Sequence, residues 1–203
     1  MKTHVVAGGG PLGRGTAGAL VERGCVVRLV SCRGAEVAVH LVRASVLGER
    51  FFQALVDGKA ASYYGRRDVP HSYTYLHDFC RTMAAVADIS PESTWMVPSS
   101  PPLDVAALEG QLRQLLEAAG LPSSTGIRLL GRGMLPIGGW FVSDAREMVA
   151  MLYEFESPFV IDASRTETEL GLRPTELATG LARTIEWYRD ARPAGCLMDP
   201  ITV

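Results

Sequence analysis

The stretch that decides the fold is His-Val-Val-Ala-Gly-Gly-Gly-Pro-Leu-Gly, residues 4–13 of a chain of 203 residues. Its first four residues form a short apolar run that predicts a buried strand, and glycines follow at positions 8, 9, 10 and 13. Apolar residues at positions 17, 20 and 21 predict a helix, which Arg23-Gly24 would end. Residues 25–30 predict a second strand. The chain therefore opens with a strand, a glycine turn, a helix and another strand.

The glycine turn has the spacing Gly-x-Gly-x-x-Gly, which is typical of a dinucleotide site when a strand precedes it and a helix follows it. The first glycine permits the tight turn, the second lets a pyrophosphate approach the backbone, and the third lets the helix pack on the strand. Free N–H groups at the helix N-terminus then face the phosphates. The pattern predicts a Rossmann-type start with Gly8, Gly10, Pro11, Leu12 and Gly13 as cofactor-binding residues.

The end of the second predicted strand bears on the choice of cofactor. An acidic residue about 20 positions after the glycines would bind a ribose 2′-hydroxyl, and this chain has none there. Ser31, Cys32 and Arg33 occupy the place instead. A serine and an arginine suit a 2′-phosphate, so Ser31 and Arg33 favour NADP(H) over NAD if a dinucleotide binds. The alternative is that Arg33 is an ordinary solvated residue and that no cofactor is required.

Composition excludes several classes of protein. Apolar residues make up 47% and charged residues 21% of the chain, which argues against disorder and coiled coil. A formal net charge of −2 gives no electrostatic basis for binding nucleic acid or an anionic membrane. The four cysteines form no Cys-x-x-Cys pair, and no metal site is predicted. The N-terminal apolar stretch is too short for a signal peptide, so we expect a cytoplasmic protein.

Several motifs follow one another along nearly the whole chain in the order of a known family. They are the opening Gly-Gly-Gly-Pro-Leu-Gly-Arg turn, the segments at 41–45, 48–52 and 71–78, and Gly-Leu-Arg-Pro-Thr at 171–175. Together they resemble the NAD-dependent epimerase/dehydratase branch of the extended short-chain dehydrogenases/reductases. The resemblance implies a Rossmann-like half followed by a C-terminal substrate-binding lobe.

The chain departs from this family after the second strand. The family has further βα units there, including the catalytic Ser and Tyr-x-x-x-Lys, whereas here only residues 31–36 separate Val30 from Val37. Three missing units would amount to about 90–100 residues. The only lysines are Lys2 and Lys59, and the residue four positions before Lys59 is Leu55, so the chain has no Tyr-x-x-x-Lys. Standard redox catalysis by the family mechanism is therefore excluded.

The short connection also affects the sheet. Parallel neighbouring strands need a crossover of about a dozen residues or more, so residues 25–30 and 37–43 would form an antiparallel hairpin, or the second strand would pair with another subunit. We expect a homodimer, with strand swapping as one form of it. The predicted fold is α/β, with a reduced Rossmann-like sheet, flanking helices and a small C-terminal α/β substrate lobe. The two parts, residues 1–90 and 91–203, would share one core.

The pattern downstream predicts the remaining elements. Helices are expected at 47–57, at 104–119, at 143–155 and at 175–189, strands at 61–65, 94–97, 127–130 and 159–161, and a strand or an extended segment at 72–76. Asp78 is expected as the N-cap of a further helix that extends to about residue 87.

The candidate catalytic residues come from two predicted strands. His71, Tyr73 and Tyr75 alternate, so a strand would place one imidazole and two phenols on the same face. His40 and Arg43 lie on the strand whose family equivalent ends beside the nicotinamide, and Arg43 could bind a carboxylate, an enolate or an oxyanion. A half-buried structural row and a structural ion pair are the alternatives. The candidate substrate-binding residues are Ser45, Trp95, Trp140 and Tyr153.

Three functions remain open at this point. The first is an enzyme that cyclises, isomerises or dehydrates a largely apolar, polyketide-like small molecule of secondary metabolism without net redox change. The second is an atypical NADPH-dependent reductase whose substrate or a water supplies the proton. The third is a non-catalytic ligand-binding protein. We expect a small-molecule substrate and neither nucleic acid nor membrane as a partner.

Overall fold

The fold is α/β, and most of the helices and strands that the structure describes lie where the sequence pattern predicts them. The computed structural model describes residues 3–7, 11–30, 47, 49–89, 94–123, 126–130, 152–153 and 155–190. In chain order the elements are β1 (Thr3–Ala7), α1 (Pro11–Glu22), β2 (Val26–Val30), α2 (Glu49–Val56), β3 (Ala61–Tyr64), α3 (Leu76–Val86), α4 (Val105–Ala118), β4 (Ile127–Leu130), α5 (Ser164–Leu170) and α6 (Leu177–Asp190).

The described strands form two separate two-stranded parallel sheets, β1–β2 and β3–β4. β1 and β2 run in register from Thr3 opposite Val26 to Ala7 opposite Val30, and α1 makes the crossover between them. This is the strand–helix–strand unit that the glycine turn predicts. β2 pairs with β1 of the same chain, and the segment 37–43, which was expected to form a hairpin with β2, lies outside the described residues.

The larger hydrophobic core lies between β3–β4 and the helices α2, α4 and α6. Its centre includes Phe52, Tyr63, Leu108 and Leu181, all fully or almost fully buried. A smaller cluster joins Ala19 and Leu20 of α1 to Ala84 of α3, with Val6 and Val27 of the first sheet packed against it. The larger core takes residues from both sides of position 90, and the division into two parts there remains a prediction.

Helix α3 does not begin as predicted. Asp78 lies in its first turn, and Tyr75 precedes the helix as an N-cap residue without a side-chain hydrogen bond. The Asp78 carboxylate is buried and accepts hydrogen bonds from the backbone N–H of Thr175 at 2.7 Å and from its Oγ1 at 2.8 Å. The prediction of an Asp78 cap is wrong because this carboxylate binds the segment that leads into α6, almost a hundred residues away in sequence.

The segment predicted as a strand at 94–97 differs from expectation, and the segment 72–76, predicted as a strand or an extended segment, belongs to no strand of the described sheets. Residues 94–100 are irregular, and their backbone is held by side chains, as where Thr166 Oγ1 donates to the carbonyl of Met96 at 2.6 Å. His71 forms single bridges to Leu103 and Phe159, and no longer ladder follows. The alternation of residue types in these segments therefore does not lead to a sheet, because the neighbouring segments are too irregular to form a longer ladder with them.

The strand predicted at 159–161 is not confirmed either, since only Phe159 takes part in a bridge, the isolated one with His71. The other predicted helices and strands within the described residues are confirmed within small shifts of their ends. Asp104 caps α4 by accepting a hydrogen bond from the N–H of Ala107 at 2.8 Å. Residues 152–153 and 155–156 are helical, and the rest of the helix predicted at 143–155 lies outside the described residues. Helix α5 was not predicted, since its sequence Ser-Arg-Thr-Glu-Thr-Glu-Leu has no apolar stripe.

Candidate functional site

The first candidate site is the N-terminal end of α1, where the chain passes from β1 into the helix. α1 begins at Pro11, whose missing N–H is no loss in the first turn of a helix. The first turn contains no acidic residue that would neutralise the positive end of the helix dipole. Leu12 is 47% exposed. The free N–H groups and positive charge at this end suit an anionic ligand.

Helix α3 fixes the position of this first turn. The Cys80 thiol is buried and donates a hydrogen bond to the carbonyl of Leu12, with a sulfur–oxygen distance of 3.7 Å. A Cβ at Gly15 would collide with the Cys80 sulfur, so the absence of a side chain at Gly15 permits the close approach of α1 and α3. Burial raises the pKa of the Cys80 thiol, so the thiol is neutral at physiological pH.

Arg14, also in this part of α1, is a residue whose role the sequence did not reveal. Its Nε atom is buried and has no hydrogen-bond partner among the residues that the structure describes. A cation near the N-terminus of a helix is opposed by the helix dipole. An arginine so close to the start of a predicted helix was therefore the feature of the sequence that could have indicated an anion-binding role for Arg14. A bound diphosphate fits these features, since its negative charge would neutralise the Arg14 guanidinium and the positive end of the helix dipole.

The second candidate site is the row of His71, Tyr73 and Tyr75. All three side chains are buried, at 3%, 2% and 5% exposure. His71 Nδ1 lies 3.2 Å from the carbonyl oxygen of Val69, and Tyr73 Oη lies 3.4 Å from Tyr63 Oη. Backbone hydrogen bonds on both sides hold the segment, with His71 paired to Leu103. The row is thus part of the packed interior.

Burial sets the ionisation of the two phenols in this row. Desolvation raises the pKa of Tyr73 far above its usual value, and the charge of Tyr63 would raise it further. Desolvation also raises the pKa of Tyr75, although a hydrogen bond from the Arg183 side chain partly offsets this increase. Both phenols are therefore neutral at physiological pH, where they can donate a hydrogen bond but cannot act as bases.

A small surface depression lies elsewhere in the described part of the chain. It is lined by Leu55, Glu109, Leu112, Arg113, Leu116, Ser123, Gly126 and Ile127. None of the predicted site residues is among them. Within the described ranges, no group of three or more His, Cys, Asp or Glu side chains could hold a metal ion.

Of the aromatic residues predicted to bind substrate, the structure describes Trp95 and Tyr153, which lie on different segments of the chain. The guanidinium of Arg165 lies 4.3 Å from the centre of the Trp95 ring, a cation–π arrangement. Tyr153 is 60% exposed on a different segment. The predicted site residues that lie outside the described residues are Gly8, Gly10, Ser31, Arg33, His40, Arg43, Ser45 and Trp140. The site roles of all these residues remain predictions.

No helix in the described part of the chain has the length and apolar character needed to cross a membrane.

Comparison with known proteins gives a likeness in fold. No family model and no curated protein matches the chain. Among solved structures, the chain is similar to the dTDP-glucose 4,6-dehydratase DesIV from Streptomyces venezuelae with NAD bound, at a TM-score of 0.52 and 22% identity over 94% of this chain and 60% of that one. A double mutant of DesIV, also with NAD, matches at a TM-score of 0.52 and 24% identity over 87% of this chain and 48% of that one.

The chain thus spans about half to three fifths of the length of the two structures that it resembles. At identities below 25%, the likeness concerns the fold alone. The chain has the α/β, Rossmann-like fold of these dehydratases.

Proposed function

We propose that the chain is a small-molecule enzyme on a short-chain-dehydrogenase-like scaffold and that it binds a nicotinamide dinucleotide at the start of α1. The observation that carries the proposal is the parallel β1–α1–β2 unit, in which three consecutive glycines precede the helix. Such a unit brings free N–H groups to the place where a diphosphate sits. The two structures of similar fold both contain NAD.

Gly8, Gly10, Pro11, Leu12 and Gly13 would surround the diphosphate. Ser31 and Arg33 follow β2 directly in sequence and would bind a 2′-phosphate, which is why NADP(H) is the preferred form of the cofactor. The dinucleotide would supply a hydride acceptor or donor. The C-terminal lobe, beyond residue 90, would bind the substrate.

The reaction we propose is redox-neutral overall, as a cyclisation, an isomerisation or a dehydration. The sequence lacks the Tyr-x-x-x-Lys pair that couples proton transfer to net hydride transfer in the resembled family. A dehydration is also the reaction that the name of the structurally similar enzyme states. The substrate we propose is a largely apolar, polyketide-like small molecule, with Trp95, Trp140 and Tyr153 as apolar contacts.

Two other functions each have an observation in their favour. An atypical NADPH-dependent reductase is favoured by the same β1–α1–β2 unit and by the pair Ser31 and Arg33. A non-catalytic ligand-binding protein is favoured by the burial of His71 and Tyr73, whose polar atoms already contact Val69 and Tyr63.

Calorimetric titration with NADP⁺, NADPH, NAD⁺ and NADH tests the cofactor part of the proposal. We expect micromolar binding of NADPH by the parent and loss of binding in Gly10→Asp, because the carboxylate would occupy the place of the diphosphate and repel it. Gly18→Asp is the matched control, since Gly18 is exposed on the same helix with open space around it. Absence of binding by the parent with all four nucleotides would contradict the proposal.

The reaction class is tested by incubating the protein and NADPH with a panel of apolar β-hydroxyketones and β-diketones. A redox-neutral enzyme gives a product of unchanged mass, or one lighter by one water, with no lasting change in NADPH absorbance. A reductase adds two hydrogens to the substrate and oxidises one NADPH for each product formed. Nucleotide binding with no product from any substrate would favour the ligand-binding function.

A further inference from the structure

We infer that the extended segment 158–162 is an interaction surface for a second copy of this chain, which pairs with it edge to edge as an antiparallel strand. The segment has the sequence Pro-Phe-Val-Ile-Asp, and we call it the outer edge. The inference is independent of the proposed function, because the outer edge contains none of the residues proposed there to bind the dinucleotide. It gives the expected homodimer a defined place on the molecule.

The first step of the argument is the hydrogen bonding on the inner side of the outer edge. Phe159 donates its N–H to the carbonyl of Pro70 at 3.0 Å and accepts a hydrogen bond from the N–H of Ser72 at 2.7 Å. The N–H of Ile161 donates to Ser72 Oγ at 3.3 Å. Residues 159 and 161 thus direct backbone groups toward the neighbouring extended segment of the same chain.

The second step concerns the other side of the same segment. In extended backbone, successive residues direct their N–H and C=O groups to opposite sides, so Val160 directs both groups outward. No hydrogen bond joins the backbone of Val160 to another described residue. Val160 is 59% exposed and Phe159 is 53% exposed. The outer edge is therefore an unpaired apolar edge, which is a template for pairing with another chain.

The third step is the fit of the outer edge to itself. An antiparallel pair with its two-fold axis at Val160 places this residue opposite the second copy's Val160, and the two exchange both N–H···O bonds. Phe159 then lies opposite the second copy's Ile161, and an aromatic residue opposite a β-branched one is a favourable cross-strand pair. Pro158 has no N–H, but in this register its carbonyl accepts from the N–H of the second copy's Asp162.

The charges of the outer edge are compatible with this register. Its only charged residue is Asp162, which faces a proline and not another carboxylate. The two Asp162 residues of the pair lie four positions apart along the strands, or about 13 Å at 3.3 Å per residue. This separation exceeds the distance over which exposed charges interact strongly at about 0.1 M salt. Like-charge repulsion therefore does not oppose the pairing of two copies.

The size of the surface sets the strength of the pair. A stable interface buries about 1,200–2,000 Å² in total, whereas a five-residue edge with two half-exposed apolar side chains buries about half of that area or less. We therefore expect a reversible dimer with a Kd of about 10–100 μM.

The test is the mass of the full chain by light scattering, at concentrations from about tenfold below to about tenfold above the expected Kd. We expect the parent to change from monomer to dimer over this range. Val160→Lys should weaken dimerisation by about tenfold or more, because it places two like charges opposite each other at the two-fold axis. Val160→Ile keeps the β-branched pair and should dimerise like the parent. Val21→Lys, at another exposed valine on α1, is the matched control and should not change dimerisation.

Hydrogen exchange followed by NMR, at the lowest and the highest concentration, locates the interface in the parent without any substitution. The N–H groups of Val160 and Asp162 should exchange more slowly at high concentration. The N–H of Phe159, which is already bonded to Pro70, should exchange at the same rate in both samples.

Three results would overturn the inference. The first is a parent that stays monomeric over the whole range, which would leave the outer edge without the occupant inferred here. The second is a dimer that Val160→Lys forms with the affinity of the parent. The third is a dimer in which the exchange of the Val160 N–H does not slow, which would assign self-association to another surface. None of these results bears on dinucleotide binding.

Discussion

Two pairs of polar residues form hydrogen bonds in the interior of the described part of the protein. The hydroxyls of Tyr63 and Tyr73 lie 3.4 Å apart in the larger core, and the Asp78 carboxylate accepts two hydrogen bonds from Thr175. Removing one partner leaves a buried polar atom without its hydrogen bond, whereas removing both costs much less. This difference allows each pair to be tested by mutation.

The tyrosine pair should show strong coupling in a double-mutant cycle. We expect Tyr63→Phe and Tyr73→Phe each to lower the free energy of unfolding by about 1 kcal/mol, because each leaves the other hydroxyl unpaired. The double variant should cost no more than either single one. Urea unfolding measures this, and Tyr64→Phe, at a half-buried neighbouring position, serves as the control. Additive single effects would show that the hydroxyls do not interact.

Asp78 should be needed for stability through its bonds to Thr175. Asp78→Ala is expected to lower the free energy of unfolding by about 2 kcal/mol or more, since the Thr175 N–H and hydroxyl lose their acceptor. Asp78→Asn keeps one acceptor oxygen and should cost less. Asp190→Ala removes an exposed carboxylate and should cause no measurable change. Equal stability of Asp78→Ala and the parent would contradict the assignment.

At the scale of the elements, the contact between α1 and α3 fixes the position of the first turns of α1. α1 combines two glycines in opposite environments, Gly15 against Cys80 and Gly18 in open space. A glycine inside a helix normally lowers stability relative to alanine. The same substitution at the two positions should therefore change the free energy of unfolding in opposite directions.

Gly18→Ala is expected to raise the free energy of unfolding by about 0.5–1 kcal/mol, since it only restricts the unfolded chain and favours the helix. Gly15→Ala should lower it by about 1–3 kcal/mol, because the new methyl group would collide with the Cys80 sulfur. Thermal or urea unfolding of both variants provides the comparison. A gain in stability for Gly15→Ala would mean that α1 and α3 are further apart than described.

At the scale of the whole molecule, α3 connects the two hydrophobic clusters. On one side, Cys80 contacts α1, and the Arg23 guanidinium donates to the carbonyl of Ala84. On the other side, Asp78 binds Thr175 ahead of α6, and Tyr75 packs against Gly180. The β1–α1–β2 unit is thus linked through one helix to the core that contains β3 and β4.

Stability of the whole molecule should decrease at alkaline pH. Burial raises the pKa of Tyr63, Tyr73 and Tyr75 in the folded chain, whereas the same phenols ionise near pH 10 when unfolded. The contribution of these three phenols to the free energy of unfolding is complete below pH 10. It is lost progressively as the pH rises above that value, because the phenols then release protons in the unfolded state and not in the folded state. Unfolding free energies measured from pH 8 to pH 11.5 test this. In Tyr73→Phe the free energy of unfolding should fall less steeply with pH than in the parent, and an identical slope in the two proteins would contradict the prediction.

The sequence by itself determined the α/β class, the strand–glycine–helix–strand opening, and the helices α4 and α6, because these depend on local periodicity and on residues such as Asp104 and Gly120 at helix ends. It also determined that the Tyr-x-x-x-Lys pair is absent. Only the tertiary structure decided that Asp78 caps no helix, that His71, Tyr73 and Tyr75 lie in the interior, and that the Nε atom of Arg14 is buried without a hydrogen-bond partner among the described residues. Each of these depends on contacts between segments far apart in the chain, and no local pattern encodes the distance between such segments.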